Sequence, residues 1–343
     1  MSSVTWLGLS QVALSAEDDA AGQGFEGFAF SSPLHTILDR LAEGPFVAWE
    51  YGETSGVVRE RAQLVTTGDS QEIELSRSQV WAGQAGWSLT PALAAGLEVQ
   101  SNASKLEGEL TQELVPYRVE SEALSTIYRN YLAWQATPSL SLGVSGQVYQ
   151  VRRTTRYFAG QGAMAEGELA TSQLSWYAGW QLSDFELRLS YEPPIRIIQP
   201  AVSSYQPGEV ALTFIWPQPF LSLGLEVAQV QHTAVDEGLK DATVVGLFMQ
   251  TNWNEAQVGT RLRYLPKIYQ SDTDISSDTI ESIDWHVYGT GPLGTGKPWH
   301  WLGRLVWQKS PQVKGLDANL RNYEVEIDLW ELVLGVQYRF GQN

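Results

Sequence analysis

The chain offers little to a chemist looking for a reaction. Its four histidines, His35, His232, His286 and His300, never stand at His-x-His or His-x-x-x-His spacing, and cysteine is absent. Neither an imidazole pair nor a thiolate set is therefore available for zinc. Asp284 and His286 lie two residues apart, on one face of an extended strand, and are the nearest approach to an acid–base pair. Two polar groups lining an interior is the preferred reading of them. No Gly-x-Ser-x-Gly elbow and no phosphate loop occurs, so no enzyme and no cofactor are expected. Asp272, Asp274, Asp278 and Glu281 gather hard oxygen ligands of the kind calcium takes. They lack the glycine and the terminal glutamate of an EF-hand loop, and a solvated loop is the preferred reading.

Two groups of residues remain as binding candidates. Arg129 and Arg152, with Arg153 and Arg156 beside the latter, form the main basic cluster. Guanidinium forks suit a ligand carboxylate or a lipopolysaccharide phosphate. Ion pairing inside the molecule, with Glu186 or Glu226, explains them equally well. Phe25, Phe28 and Phe30 can line a pocket for a hydrophobic ligand. They can also form the small core of their own segment, which is the preferred reading.

The elements that must carry these residues are strands. From Trp330 to Phe340, Trp330, Leu332, Leu334, Val336, Tyr338 and Phe340 alternate with Glu331, Val333, Gly335, Gln337 and Arg339. A tilted strand crosses a bilayer in roughly 9–11 such residues. Aromatic ends and an apolar middle suit the two interfaces and the lipid between them. The same period recurs elsewhere. Phe185, Leu187, Leu189 and Tyr191 oppose Glu186, Arg188, Ser190 and Glu192, and Val258, Thr260, Leu262 and Tyr264 oppose Gln257, Gly259, Arg261 and Arg263. Strands of soluble proteins usually have about 5–6 residues; several of these runs sustain alternation for far longer.

Turn residues punctuate the runs at Thr90-Pro91, Thr137-Pro138, Ser183-Asp184, Pro217-Gln218-Pro219, Asn252-Trp253-Asn254 and Gly294-Thr295-Gly296. The stretches 101–120, 156–167, 193–208, 231–241, 267–281 and 309–322 are longer and more polar, and are expected to be loops at the opposite end. Short turns at one end and long loops at the other is the bacterial outer-membrane pattern. Six turns define twelve strands, and one more on each side makes about fourteen. The first strand is expected within 45–66 as one long or kinked strand, in preference to a hairpin through Glu53-Thr54-Ser55-Gly56. The fold expected is thus all-β: a transmembrane antiparallel up-and-down barrel over 44–343. Residues 1–43 fall outside the pattern, and a short amphipathic helix over 33–42 suggests a plug packed in the lumen.

Composition agrees with that frame. The net charge of -17 repels phosphate, so nucleic acid is excluded as a general partner. Mean hydropathy is only -0.19 and no run approaches a spanning helix, but a barrel strand turns only alternate residues to lipid. The 14 Trp and 14 Tyr suit interfacial girdles. Arg40 is the first basic residue and the opening residues lack a strong apolar core, so the chain is taken as mature with an added or retained Met1.

Three features resemble the long-chain fatty acid and hydrocarbon transporters of the Gram-negative outer membrane, PorV-type barrels included. The run from Leu7 through Asp18-Asp19-Ala20-Ala21 is similar to that family's N-terminal signature, although Ser31-Ser32-Pro33 stands where Asn-Pro-Ala is usual. The segment from Tyr131 through Thr137-Pro138 to Gly143 resembles its typical hairpin, and the strand count and closing strand agree. The resemblance implies an integral outer-membrane barrel of fourteen strands with a lumenal hatch, and passage of small hydrophobic molecules. Outer-membrane lipid and lipopolysaccharide are the implied surroundings. The alternative is a structural or interaction barrel with other envelope proteins as partners, in a secretion or motility complex.

Overall fold

The computed structural model describes residues 45–340 apart from 65–69, 113–114, 159–162, 199–202, 207, 218–220, 232–238, 241, 254–255, 270–278, 295–297 and 317–320. The expected helix, the plug, Phe25, Phe28 and Phe30 therefore lie outside the described residues. So do Asp272, Asp274 and Asp278.

Strands in chain order are β1 (Phe46–Leu64), β2 (Ser70–Thr90), β3 (Leu93–Gln112), β4 (Val115–Thr137), β5 (Leu140–Phe158), β6 (Ala163–Gln181), β7 (Glu186–Glu192), β8 (Ile195–Ile198) and β9 (Ser203–Gln206). They continue as β10 (Gly208–Trp216), β11 (Leu221–Gln231), β12 (Leu239–Lys240), β13 (Ala242–Trp253), β14 (Ala256–Tyr269), β15 (Thr279–Pro292), β16 (Trp299–Leu316) and β17 (Arg321–Arg339). Each barrel strand pairs antiparallel with its neighbours in the sheet. The first strand meets the last, with Phe46 opposite Arg339 and Leu64 opposite Arg321. The sheet also joins through β14 and β15, so it closes on itself. Fourteen strands form the wall; β8 and β9 make a separate two-stranded sheet and β12 is a short attachment to β14.

Each of the six expected turns falls where two paired strands join, although Thr90, Thr137, Asn252 and Trp253 are themselves strand residues, and the fourteen-strand count holds. The first strand is single, as expected. The four residues that look like a turn are where it bulges: its register with β2 breaks between Thr54 and Arg59. Gly56 sits there at φ +130°, and a Cβ on it would lie 2.1 Å from the Asp328 carbonyl oxygen. Only glycine tolerates that backbone and that approach.

The expected long loops need correction. β3 runs on to Gln112 and β4 starts at Val115, so most of 101–120 is paired strand. The same holds for most of 156–167 and 309–322. Beyond the lipid both faces of a strand are polar, so the two-residue alternation fades although the ladder continues. The wall is uneven as a result. β1 to β6, β16 and β17 are 18–23 residues long. β7, β10, β11, β13, β14 and β15 are 7–14.

The distribution of side chains is inverted relative to a water-soluble protein. Leu174, Leu334, Leu247 and Trp49 are 62%, 59%, 57% and 57% exposed. Glu98, Gln100, Arg129, Glu226, Arg261, Arg263, Arg304 and Glu331 are buried. Apolar groups turned outward around a closed sheet, with polar ones inside, suit hydrocarbon as the surrounding solvent. Aromatics gather at two levels. Near the short turns Trp299, Tyr338 and Phe340 pack edge to face, 4.9 Å between successive ring centres. Higher up, Trp285, Trp307 and Trp330 stand on three adjacent strands, at 6.5 and 5.3 Å. These are the girdles the Trp and Tyr content suggested.

Candidate functional site

The lumen and the wall around it are the candidate site. Its floor at the short-turn end is apolar: Phe46, Ala48, Ala94, Tyr131, Ala133, Tyr177 and Leu302 form one buried cluster. Above it lies a belt of charge. Alternation fixes who contributes. Where Trp134, Leu132 and Tyr128 of β4 turn outward, Ala133, Tyr131 and Arg129 must turn inward.

Arg129 accordingly faces the lumen and is buried. Its Nη1 donates to Glu98 Oε1 at 2.8 Å and its Nε to Gln147 Oε1 at 2.8 Å. The Tyr131 hydroxyl donates to the other Glu98 oxygen. The three residues Glu98, Arg129 and Gln147 stand opposite one another in register on β3, β4 and β5. Ion pairing inside the molecule is thus realised, with Glu98 as partner in place of Glu186 or Glu226. Glu186 bonds Arg188 at 2.6 Å on its own strand.

Across the barrel, Glu226 of β11 holds two guanidiniums from β14. Arg261 Nη2 lies 2.6 Å from it and Arg263 Nε 2.9 Å. Arg263 also reaches Glu209 at 2.8 Å, and Arg304 of β16 pairs with Glu331 of β17. Buried ion pairs of this kind are balanced against desolvation and survive only with good geometry. Asp284 and His286 are buried in the same lumen wall, opposite Arg263 and Arg261.

Arg152 does not join Arg129. It lies on β5 between Leu124 and Glu168, exposed, on the outer face. Five residues of strand separate it from Gln147, the register partner of Arg129. The odd separation puts the two arginines on opposite sides of the wall. Among the described residues no group of His, Asp and Glu is placed to hold a metal ion.

One feature of the wall escaped the sequence. β6 pairs with β5 along nearly its whole length, from Tyr157 opposite Ala163 to Leu140 opposite Trp180. With β7 it pairs only from Trp176 opposite Tyr191 to Gln181 opposite Glu186. Above that point β7 meets Pro193 and Pro194, which have no N–H to give a ladder. The chain leaves the barrel sheet and forms the β8–β9 hairpin, Ile195 opposite Gln206, before rejoining at Gly208. A Cβ on Gly208 would lie 2.6 Å from Pro194 Cδ, so the return passes tightly against the proline. Among the described residues, 163–175 of β6 have no second ladder partner, and β8 lies beside β6 without pairing to it. Counting up from Trp180 at the short-turn end, roughly 9–11 residues cross the apolar layer. The seam that opens at Ser175 therefore begins inside that layer. Leu174, the most exposed large apolar side chain among the described residues, stands on its edge.

No family model and no curated protein matches the chain. Solved structures do. A FadL homologue from Pseudomonas aeruginosa superposes with a TM-score of 0.59 at 9% identity, over 87% of this chain and 91% of that one. A mutant of the TodX monoaromatic hydrocarbon channel gives 0.61 at 9%, over 87% and 91%. The P. putida toluene transporter TodX gives 0.58 at 9%, over 88% and 91%. At such identity the likeness is one of fold: this chain has the barrel architecture of those structures.

Proposed function

We propose that the chain is an integral outer-membrane barrel that passes small hydrophobic molecules, fatty-acid-like or hydrocarbon, and releases them sideways through the seam between β6 and β7. The observation that carries the reading is the loss of the β6–β7 ladder above Trp176, a height that the length of a spanning strand puts within the apolar layer. A continuous barrel has no reason to leave a strand edge unpaired in lipid, where each unsatisfied group costs free energy. An apolar solute moving from the lumen to hydrocarbon gains about 25 cal/mol for each Å² it buries. The neighbours in fold named for hydrocarbon and toluene transport support the same class of solute. Residues 1–43 act in this reading as the lumenal plug, with Phe25, Phe28 and Phe30 lining the apolar pocket beside it. Arg129 is committed to Glu98 and Gln147, so it shapes that pocket more than it binds ligand. Arg152 on the outer face serves the lipid side.

The test exploits the absence of native cysteine. Leu174→Cys with Pro193→Cys places two thiols across the seam for a short bismaleimide. Uptake of a fluorescent fatty acid or of toluene into proteoliposomes is measured before and after cross-linking. Uptake above empty vesicles that falls about tenfold on bridging supports the reading. Uptake no greater than in empty vesicles sinks transport, and unchanged uptake after bridging sinks the sideways route.

A second reading has its own observation. Eight strands run 18–23 residues, far past the apolar layer, and raise a tall wall on one side that an envelope partner can grip. Stoichiometric recovery of another envelope protein after in-cell cross-linking at the β3–β4 hairpin favours this structural role.

A further inference from the structure

The β8–β9 hairpin is set apart from the barrel sheet, yet its register is the barrel's own. In β7 and β10, Tyr191 stands opposite Val210 and Glu192 opposite Glu209. Counting onward residue by residue gives Ile195 opposite Gln206 and Ile198 opposite Ser203, and these are the pairs that β8 and β9 form. The two hairpins are therefore one long hairpin, divided into two sheets without a slip. The division falls at Pro193-Pro194, and the returning arm has Pro207 between Gln206 and Gly208. Successive N–H groups of a strand point to opposite neighbours. Two adjacent prolines thus remove one donor on the β6 side and one on the β10 side. A Cβ on Gly208 would also lie 3.0 Å from the Glu192 carbonyl oxygen, so glycine lets the two arms approach closely at this level.

Two backbone edges run side by side across the seam. Among the described residues, β8 pairs on one side only, with β9, and β6 has one ladder, with β5, over 163–175. β8 lies beside β6. It continues the direction of β7, which is antiparallel to β6, so it has the polarity a ladder requires. The β6–β7 register sets Trp176 opposite Tyr191. Extended past the prolines, it sets Ile195 against Ser172 and Ile198 against Leu169. In sequence Ile195 and Ile197 also continue the row of Leu187, Leu189 and Tyr191, whose alternate neighbours Arg188 and Ser190 are buried. A β8 joined to β6 in this register would add two isoleucines to the lipid-facing row.

Taking the sideways route as given, we propose that the β8–β9 hairpin is a hinged flap that shuts the seam by pairing β8 with the free edge of β6. The open arrangement leaves backbone groups of β6 without ladder partners at the edge of hydrocarbon, which costs free energy. The closed arrangement satisfies those at 169–172 and leaves Leu174 and Gln173 opposite the two prolines. The hinge keeps a weak point in the ladder at that height, so the flap exchanges between the two arrangements and does not seal. A solute leaving the lumen meets a strand that can be unzipped over four residues, the length of β8, while the rest of the wall stays paired.

The experiment uses the full chain in phosphatidylcholine vesicles, with Ser172→Cys and Ile195→Cys introduced together and oxidised by copper phenanthroline. Directly opposite residues of antiparallel strands stand about 4.5–5.5 Å apart, within reach of a disulfide. Trapping, read by gel mobility, should be about tenfold faster than for Leu169→Cys with Ile195→Cys, three residues out of register. Thr171→Cys with Arg196→Cys serves if the first pair fails the gel-shift assay for a folded barrel. Uptake of a fluorescent fatty acid should fall about tenfold in the trapped protein and return on reduction. Pro193→Ala with Pro194→Ala restores two donors and should speed trapping and slow uptake without any cross-link. Equal trapping of the in-register and out-of-register pairs would overturn the flap, and so would unchanged uptake in the trapped protein. Uptake no greater than in empty vesicles for every variant sinks the transport reading instead, and trapping alone then decides whether β8 pairs with β6.

Discussion

At the scale of residues, the lumenal charges are the point of greatest energetic exposure. Glu226 is completely buried and is the shared anion for Arg261 and Arg263. Glu226→Ala leaves guanidiniums without their counter-charge in a low-dielectric interior. Removing one partner of a buried pair typically costs about 3–5 kcal/mol. The expected result is a drop of that size in urea unfolding followed by Trp fluorescence in micelles, with Glu226→Gln losing less because it keeps an acceptor. Much of this belt was legible. Once Val258, Thr260, Leu262 and Tyr264 are placed outward, Arg261 and Arg263 are inward by parity, and the same holds for Arg129 against Trp134 and Leu132. The identity of the partners was not legible. Glu98 lies 31 residues before Arg129 in sequence, and only the cross-strand register brings them together.

At the scale of elements, the turns and the lipid-spanning parts of strands announced themselves, and the strand ends beyond the lipid did not. In 101–120 the alternation lapses because water bathes both faces, so a paired hairpin looks like a loop. That hairpin has its own electrostatics. The hydrogen bond between Lys105 and Glu107, 2.7 Å long, holds the lysine above its ordinary value and the carboxyl below its own. Arg118 adds a second contact to Glu107 at 3.5 Å. The lowered carboxyl contributes above the usual carboxylate range and loses its contribution as pH falls through its lowered value. The raised ammonium contributes below the usual lysine range and loses its contribution as pH rises through its raised value. Exposed pairs are weak and screened by salt, so the effect is small. Amide exchange of 105–109 should stay constant through neutral pH and quicken in strong acid, beyond the intrinsic pH dependence of exchange. Glu107→Gln should abolish that extra acid step. The seam beside β6 illustrates the other limit of sequence. The stretch 193–208 was legible as an interruption between strands, but its meaning depends on how far β6 continues past it.

At the scale of the whole molecule, the sheet is closed and its outside is built for hydrocarbon. Leu334, 59% exposed at the middle of β17's apolar face, tests this directly. Leu334→Arg puts a charge at the bilayer midplane, where the cost is about 2–4 kcal/mol. Folding into vesicles should weaken by that amount, measured by urea titration.

The uneven height of the wall has a further consequence. Its tall and low staves adjoin at β6 and β7, the same junction where the ladder parts. A molecule slipping out there would emerge in the lee of the higher staves, with oil on one hand and a sheltering parapet on the other. Shortening β5 and β6 at their tips would strip away that shelter while leaving the door itself in place.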